Sequence, residues 1–204
     1  MDKAYWDNYY EVNSEPFSNS PFSNFVINQI EENKSLLDIG CGNGRDSIFF
    51  AKNKINTLGI DQSDVAVNNL KKYENRYLNF ENTKISKLKD TEFDYGYCRF
   101  LLHSIDKKSE KYLMNFLNKN IKNSIFLETR VLNNRKEIDS SNMNHYRRIE
   151  SENYYVNLFK DFSFKLIYKK TSYNFSKYRN AYNVKDIKDN PLILRLVLKK
   201  DSGV

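Results

Sequence analysis

Cysteine is scarce. Cys41 and Cys98 are the only two in 204 residues, which excludes a disulfide framework. Both lie in apolar segments and are expected to behave as small buried hydrophobes. Long apolar runs are missing too. Stretches such as "SIFFA" and "LILRLVL" fall well short of the ~20 residues that cross a bilayer. The opening "MDKAYWDNYYEVNSEP" lacks the apolar core of a signal peptide. A soluble cytoplasmic protein with no membrane insertion is the expectation. A basic block is also absent: the formal charge is +7, but the lysines stand singly or in pairs among Asp, Glu and Asn. That distribution disfavours nucleic acid as a partner and leaves a small anionic molecule open. No metal is expected.

With 40% apolar residues, the chain can bury one substantial core, so residues 1–204 are expected to form a single domain. An aromatic opening precedes "FSNFVINQIEENK", whose Phe22, Phe25, Val26 and Ile30 have helical spacing. Strands are then expected at 35–40, 56–61, 78–82, 93–102 and 124–131. Helices are expected between them at 45–53, 64–76 and 109–121, with Ser63 capping the second. Residues 133–148 have no apolar period and read as a loop. After a helix near 150–160 come "FKLIYKKTSYNF" and "PLILRLVLKK", two strand-like runs with no helix between them. The alternation predicts an α/β fold: a Rossmann-like, doubly wound, mostly parallel seven-stranded sheet with an antiparallel C-terminal strand pair.

The first strand runs into "LLDIGCGNGRD". Glycine permits positive φ and a close backbone approach to a ligand, and the next helix offers unpaired N–H groups. A P-loop needs a terminal Lys-Ser/Thr, which is missing. A dinucleotide loop needs a third glycine where Arg45 stands. Asp61 ends the second strand about twenty residues on, where a carboxylate can take ribose hydroxyls. The combination speaks for an adenosine-type ligand and against a pyrophosphate cradle.

An acidic-Gly-x-Gly-x-Gly loop with this Asp resembles the class I S-adenosylmethionine-dependent methyltransferases. "YWDNYY", "LGIDQSDVAV", "FDYGYCRFLLHSI", "ETR", "HYRRI" and "DNPLILRLVLKK" are similar to its small-molecule branch, which includes thiopurine and tellurite methyltransferase-like proteins. The resemblance implies S-adenosylmethionine as cofactor and S-adenosylhomocysteine as product. It places Gly40, Cys41, Gly42, Gly44 and Arg45 beside the methionine moiety, Asp38 towards its amino group, and Asp61 with Gln62 at the ribose. Relatives carry an acid facing adenine after the third strand. Here Lys84 stands there, so Ile85 packing and backbone groups are expected to hold the base. Tyr5, Trp6, Tyr9 and Tyr10 are candidates to face the sulfonium, since aromatic faces attract cations.

Transfer of a methyl group needs an aligned nucleophile, exclusion of water, and a proton acceptor when the nucleophile is a neutral hydroxyl or amine. Arg99 and His103, after the fourth strand, are the catalytic candidates, with His103 suited to general-base work and Arg99 also near the cofactor. Arg130, His145, Tyr146, Arg147 and Arg148 are candidates for an anionic acceptor, because guanidinium groups clamp carboxylates and phosphates; Tyr9 and Tyr178 join them. Residues 1–35 are expected as an aromatic lid and 133–148 as a loop over the acceptor pocket. The acceptor is expected to be phosphorylated, phosphoramidate-like or a nucleotide-activated sugar, and the resemblance links such relatives to surface polysaccharide precursors. A nucleic-acid methyltransferase is the alternative, although the Asn/Asp-Pro-Pro-aromatic signature is missing after the fourth strand. A non-catalytic cofactor-binding partner subunit is the other.

Overall fold

A computed structural model describes residues 3–16, 18–132, 147–176 and 191–201. His145, Tyr146, Tyr178 and most of the 133–148 segment therefore lie outside the described residues. The strands are β1 Ser35–Ile39, β2 Asn56–Asp61, β3 Leu78–Asn82, β4 Phe93–Arg99, β5 Ile121–Arg130, β6 Phe164–Ser172 and β7 Ile193–Lys200. They form one sheet in the order β3-β2-β1-β4-β5-β7-β6. Pairing is parallel from β3 through to β5, whereas β7 is antiparallel to both of its neighbours.

The C-terminal pair is thus antiparallel as expected, and β7 inserts between β5 and β6. Side-chain character explains the order. The run "ILRLVL" of β7 is buried on both faces, which only a central position provides. In β6 most residues after Phe164 are exposed or half-buried, and lysines suit an edge strand.

The helices are α1 Lys3–Val12, α2 Pro21–Ile27, α3 Arg45–Lys52, α4 Asp64–Leu70, α5 Lys107–Asn120 and α6 Glu152–Asn157. Several are shorter than their apolar period predicts. α2 stops at Ile27, where the capping Asn28 turns its N–H back to Val26, and α4 gives way to a single 3₁₀ turn at Lys71–Tyr73. Ser63 caps α4 as expected, accepting from the Ala66 amide. None of the described helices is long and apolar enough to cross a membrane.

Alternation along the strands divides the core. Leu37, Ile39, Cys98, Leu127 and Leu196 pack towards α5 on one face. Leu36, Tyr95, Tyr97, Phe126 and Val197 pack with Phe22, Val26 and Phe50 on the other. On this second face the inward positions turn polar at one end of the sheet: Asp38, Arg99, Glu128 and Arg195 continue the rows begun by apolar residues. Since β1 and β4 are neighbours while their connections leave in opposite directions, ligands belong at the crevice beyond their carboxyl ends.

Candidate functional site

The β1–α3 turn opens onto a cavity of about 270 Å³ at this crevice, near the small end of the ~300–1,000 Å³ range of ligand sites. Gly40, Gly42 and Gly44 all have positive φ, between 57° and 76°. At Gly42 the approach is also tight: a Cβ there would collide with the Tyr10 hydroxyl of α1. Gly44 has a packing role. Its missing side chain faces Leu70 and Phe80, with Leu70 Cδ2 only 2.6 Å from an ideal Cβ.

Asp61 lies at the centre of one wall. Its Oδ2 accepts from the Gly42 amide at 3.0 Å and its Oδ1 from the Ser63 amide at 2.9 Å. A carboxylate oxygen takes more than one hydrogen bond, so capacity remains for two hydroxyls. Burial pushes the Asp61 pKa up, opposed by these amides. Asp38 is almost wholly buried, and its Oδ2 accepts from Ser47 Oγ at 2.6 Å. Burial pushes its pKa up to about 7; Ser47 and Arg99 oppose the rise, and Asp46 and Asp61 add to it.

Ten of the residues expected at the cofactor line this cavity. They are Asp38, Gly40, Cys41, Gly42 and Arg45 from the first turn, Asp61 and Gln62 after β2, and Ile85, Arg99 and Trp6. Tyr9 lines it as well. Tyr5 does not; its ring meets Trp6 edge-on at 5.1 Å. Lys84 is exposed and lies outside the lining, so the polar group beside Ile85 is Thr83. Helix α1 is fastened over the site: Asp7 Oδ1 accepts from Ser63 Oγ at 2.6 Å, and Lys3 bridges Asp7 and Asp64.

Tyr10 of the aromatic opening lines the cavity too, and sequence reasoning missed Asp46, Tyr97 and Phe100, which also line it. Asp46 accepts from the Ser20 amide, Ser20 Oγ and Tyr97 Oη at 2.7–2.8 Å. Burial opposes its charge, yet Arg99, Arg45 and these donors hold it below the usual carboxylate range. An acid in the first turn of a helix is common enough to carry no functional signal. Phe100 has φ of +56°, an uncommon conformation for a bulky residue and one that concentrates at functional sites. Its amide donates to Glu128 O at 2.7 Å, and the Arg99 guanidinium lies 4.3 Å from its ring centre. The expected strand 93–102 therefore ends at Arg99.

The remaining described candidates lie outside this cavity's lining. His103 is buried outside the lining, edge-on to Phe100. Its Nδ1 accepts from the Arg130 amide at 3.4 Å and lies 3.2 Å from Thr129 Oγ1. These contacts turn one ring nitrogen into the fold, and the general-base role expected of His103 is not supported by a place in this cavity's wall. Arg130 and Arg147 are half-buried and also outside the lining.

Arg148 pairs with Glu110 and, at 3.0 Å, with Glu150, while Tyr154 Oη donates to Glu110 at 2.6 Å. The acceptor role expected for Arg148 gives way to this internal network. Arg148→Ala would leave Glu110 buried with one hydroxyl partner, a loss of about 3 kcal/mol. Thermal unfolding should fall by ~6–12 °C with adenosylhomocysteine affinity unchanged within about twofold. A fall in affinity without a fall in unfolding temperature would return Arg148 to ligand binding.

The fold and this cavity define a class, and sequence comparison agrees with it. Residues 19–175 match the family model described as a methyltransferase domain. The chain belongs to that family, and its class is that of the S-adenosylmethionine-dependent methyltransferases. No curated protein matches the sequence. Among solved structures, an S-adenosylmethionine-dependent methyltransferase from Methanosarcina mazei is similar, with a TM-score of 0.69 and 17% identity over 90% of this chain and 98% of that one. The 1,6-didemethyltoxoflavin-N1-methyltransferase of Burkholderia thailandensis, solved with 1,6-didemethyltoxoflavin and S-adenosylhomocysteine, has a TM-score of 0.68 and 13% identity over 89% and 77%. A TehB-like methyltransferase from Corynebacterium glutamicum has a TM-score of 0.65 and 12% identity over 97% and 99%. At such identities the likeness concerns the fold.

Proposed function

We propose that the cavity binds S-adenosylmethionine and that the enzyme methylates a small anionic acceptor. The favoured acceptor is an oxygen of a phosphorylated, phosphoramidate-like or nucleotide-activated sugar compound, such as a surface polysaccharide precursor. The observation that carries the cofactor assignment is Asp61, pinned by the Gly42 and Ser63 amides in the cavity wall with acceptor capacity to spare. In this reading Asp61 takes the ribose hydroxyls and Asp38 faces the amino group. Ile85 packs on adenine beside Thr83, and Trp6 with Tyr9 covers the reacting end.

When bound, the cofactor supplies an electrophilic methyl group on a sulfonium for in-line displacement. This chain's part is to orient the two reactants and exclude water. With His103 outside the cavity lining, an acceptor that needs no base is favoured, since an anionic oxygen is already a nucleophile. Arg99 in the wall suits such an anion. We assign the chain to one domain, with the N-terminal aromatic segment as a cover. The free, buried Cys41 and Cys98 fit a reducing cytoplasm.

Adenosylhomocysteine should bind the purified protein in calorimetry, and absence of binding would overturn the cofactor assignment. The affinity should depend on pH in a stated direction. Asp38 titrates near 7 in the ligand-free fold, above its ordinary 3.8. A ligand ammonium requires the ionised form, so below pH 7 binding must expel a proton. Affinity should fall by up to ~tenfold per pH unit below about 7 and level off above it. The same raised pKa makes the ligand-free fold lose stability as pH climbs from about 4 to about 7. Asp38→Asn should flatten both profiles; a flat wild-type binding profile would remove Asp38 from the amino group.

A further inference from the structure

Three neighbouring strands place charged residues opposite one another in a row. Arg99 on β4 is in register with Glu128 on β5, and Glu128 with Arg195 on β7. The row is closed by ion pairs: Arg99 Nε donates to Glu128 Oε1 at 3.0 Å, and Arg195 Nε donates to Glu128 Oε2 at 2.6 Å. Glu128 is 1% exposed, the Arg195 side chain 6% and the Arg99 side chain 15%. Only Arg99 belongs to the cavity lining. The far end is enclosed by aromatic rings, with the Arg195 guanidinium 4.0 Å from the Phe175 ring centre, 5.2 Å from Phe22 and 5.6 Å from Phe25.

A buried ion triad is not an efficient way to stabilise a core, since apolar residues of similar volume usually do as well. Its distinctive property is geometric. Glu128 divides its two oxygens between two arginines, while its carbonyl holds the amide of Phe100 in the left-handed conformation. One residue thus sets both the guanidinium and the ring it lies against. Removing Arg195 would leave Oε2 of a buried carboxylate without its closest donor. Glu128 would then be free to rotate about its side-chain bonds, and its grip on Arg99 would loosen. Burial already pushes the Glu128 pKa up and Asp46 adds to the rise, against the pull of Arg99 and Arg195.

We propose that Arg195 is a positioning residue which, acting through Glu128, holds the Arg99 guanidinium in the cavity wall at the place where an anionic acceptor group enters. The acceptor half of this inference rests on the function proposed above; the relay itself does not.

The test uses full-length ¹⁵N-labelled protein. The Arg99 Nε–Hε resonance is assigned by its disappearance in Arg99→Lys, and inorganic phosphate serves as the anion probe with adenosylhomocysteine present. In the wild type the resonance should be sharp, protected from exchange, and displaced by phosphate. In Arg195→Met, which keeps an apolar chain within the aromatic rings, it should broaden or vanish. Phosphate should then be needed at a concentration on the order of tenfold higher. Glu128→Gln should have the same effect, and Arg195→Lys should restore part of the signal. Wild-type resonance and phosphate response in folded Arg195→Met and Glu128→Gln would overturn the proposal; if Arg195→Met does not fold, Glu128→Gln alone decides. Failure of the wild type to bind adenosylhomocysteine would overturn the cofactor reading instead, while the Arg99 resonance still decides the relay.

Discussion

Asp61→Ala is expected to weaken adenosylhomocysteine binding more than a hundredfold while leaving the fold intact. Each hydrogen bond from a hydroxyl to an ionised carboxylate contributes ~1.5–3 kcal/mol, so losing the two proposed ribose contacts costs ~3 kcal/mol or more. The substitution also leaves the Gly42 and Ser63 amides without their side-chain acceptor, so the glycine turn loosens where the ligand needs it rigid. The ligand-free fold is compensated, because a buried carboxylate held above its ordinary pKa is removed at the same time. Calorimetry should therefore show the large change and ligand-free thermal unfolding a small one. At a ligand concentration a hundred times the wild-type Kd, the wild type gains ~2.7 kcal/mol of stability and the variant almost none. Equal stabilisation of both proteins would dismiss Asp61 from the ligand.

Gly42→Ala should be nearly as damaging through a different cause. Its φ of +57° costs an alanine ~1–2 kcal/mol. The added Cβ also collides with the Tyr10 hydroxyl, forcing the end of α1 away from the cavity that Trp6, Tyr9 and Tyr10 line. Adenosylhomocysteine affinity should fall on the order of tenfold to a hundredfold. Tyr10→Phe removes the oxygen that collides and none of the backbone strain. The double variant should therefore recover part of the affinity, and the unrecovered part measures the strain. If Tyr10→Phe rescues nothing, the collision does not reach the ligand. Gly44→Ala has a different signature, because its Cβ meets Leu70 and Phe80 in the core and unfolding temperature should fall first.

Much of the cavity wall was legible because its signals are local. Gly40, Gly42, Asp38 and Asp61 are recognisable by chemistry and spacing along two strand–turn junctions, and a parallel sheet brings such junctions to one edge. The arginines were less legible for a physical reason. Guanidinium groups serve equally as anion clamps and as internal ion-pair partners, and nothing in "HYRRIE" distinguishes the two. Arg148 turns to Glu110, a residue 38 positions away on α5. His103 likewise has the chemistry for proton transfer, yet it is buried outside the cavity lining with Thr129 and the Arg130 amide at Nδ1. Phe100 gave no warning, since a left-handed backbone at a phenylalanine is imposed by tertiary contacts and not by its own preference.

By itself the sequence determined the α/β class, the glycine turn and the carboxylate that answers it, because each depends on periodicity or on backbone demands only glycine meets. Tertiary structure alone decided that β7 lies inside the sheet and that Asp7 fastens α1 to Ser63. It alone decided that Arg195 reaches Arg99 through Glu128. Those outcomes depend on which residues from distant segments compete for the same buried space and the same charge. Such competition is resolved when the chain packs, and spacing along the chain does not encode it.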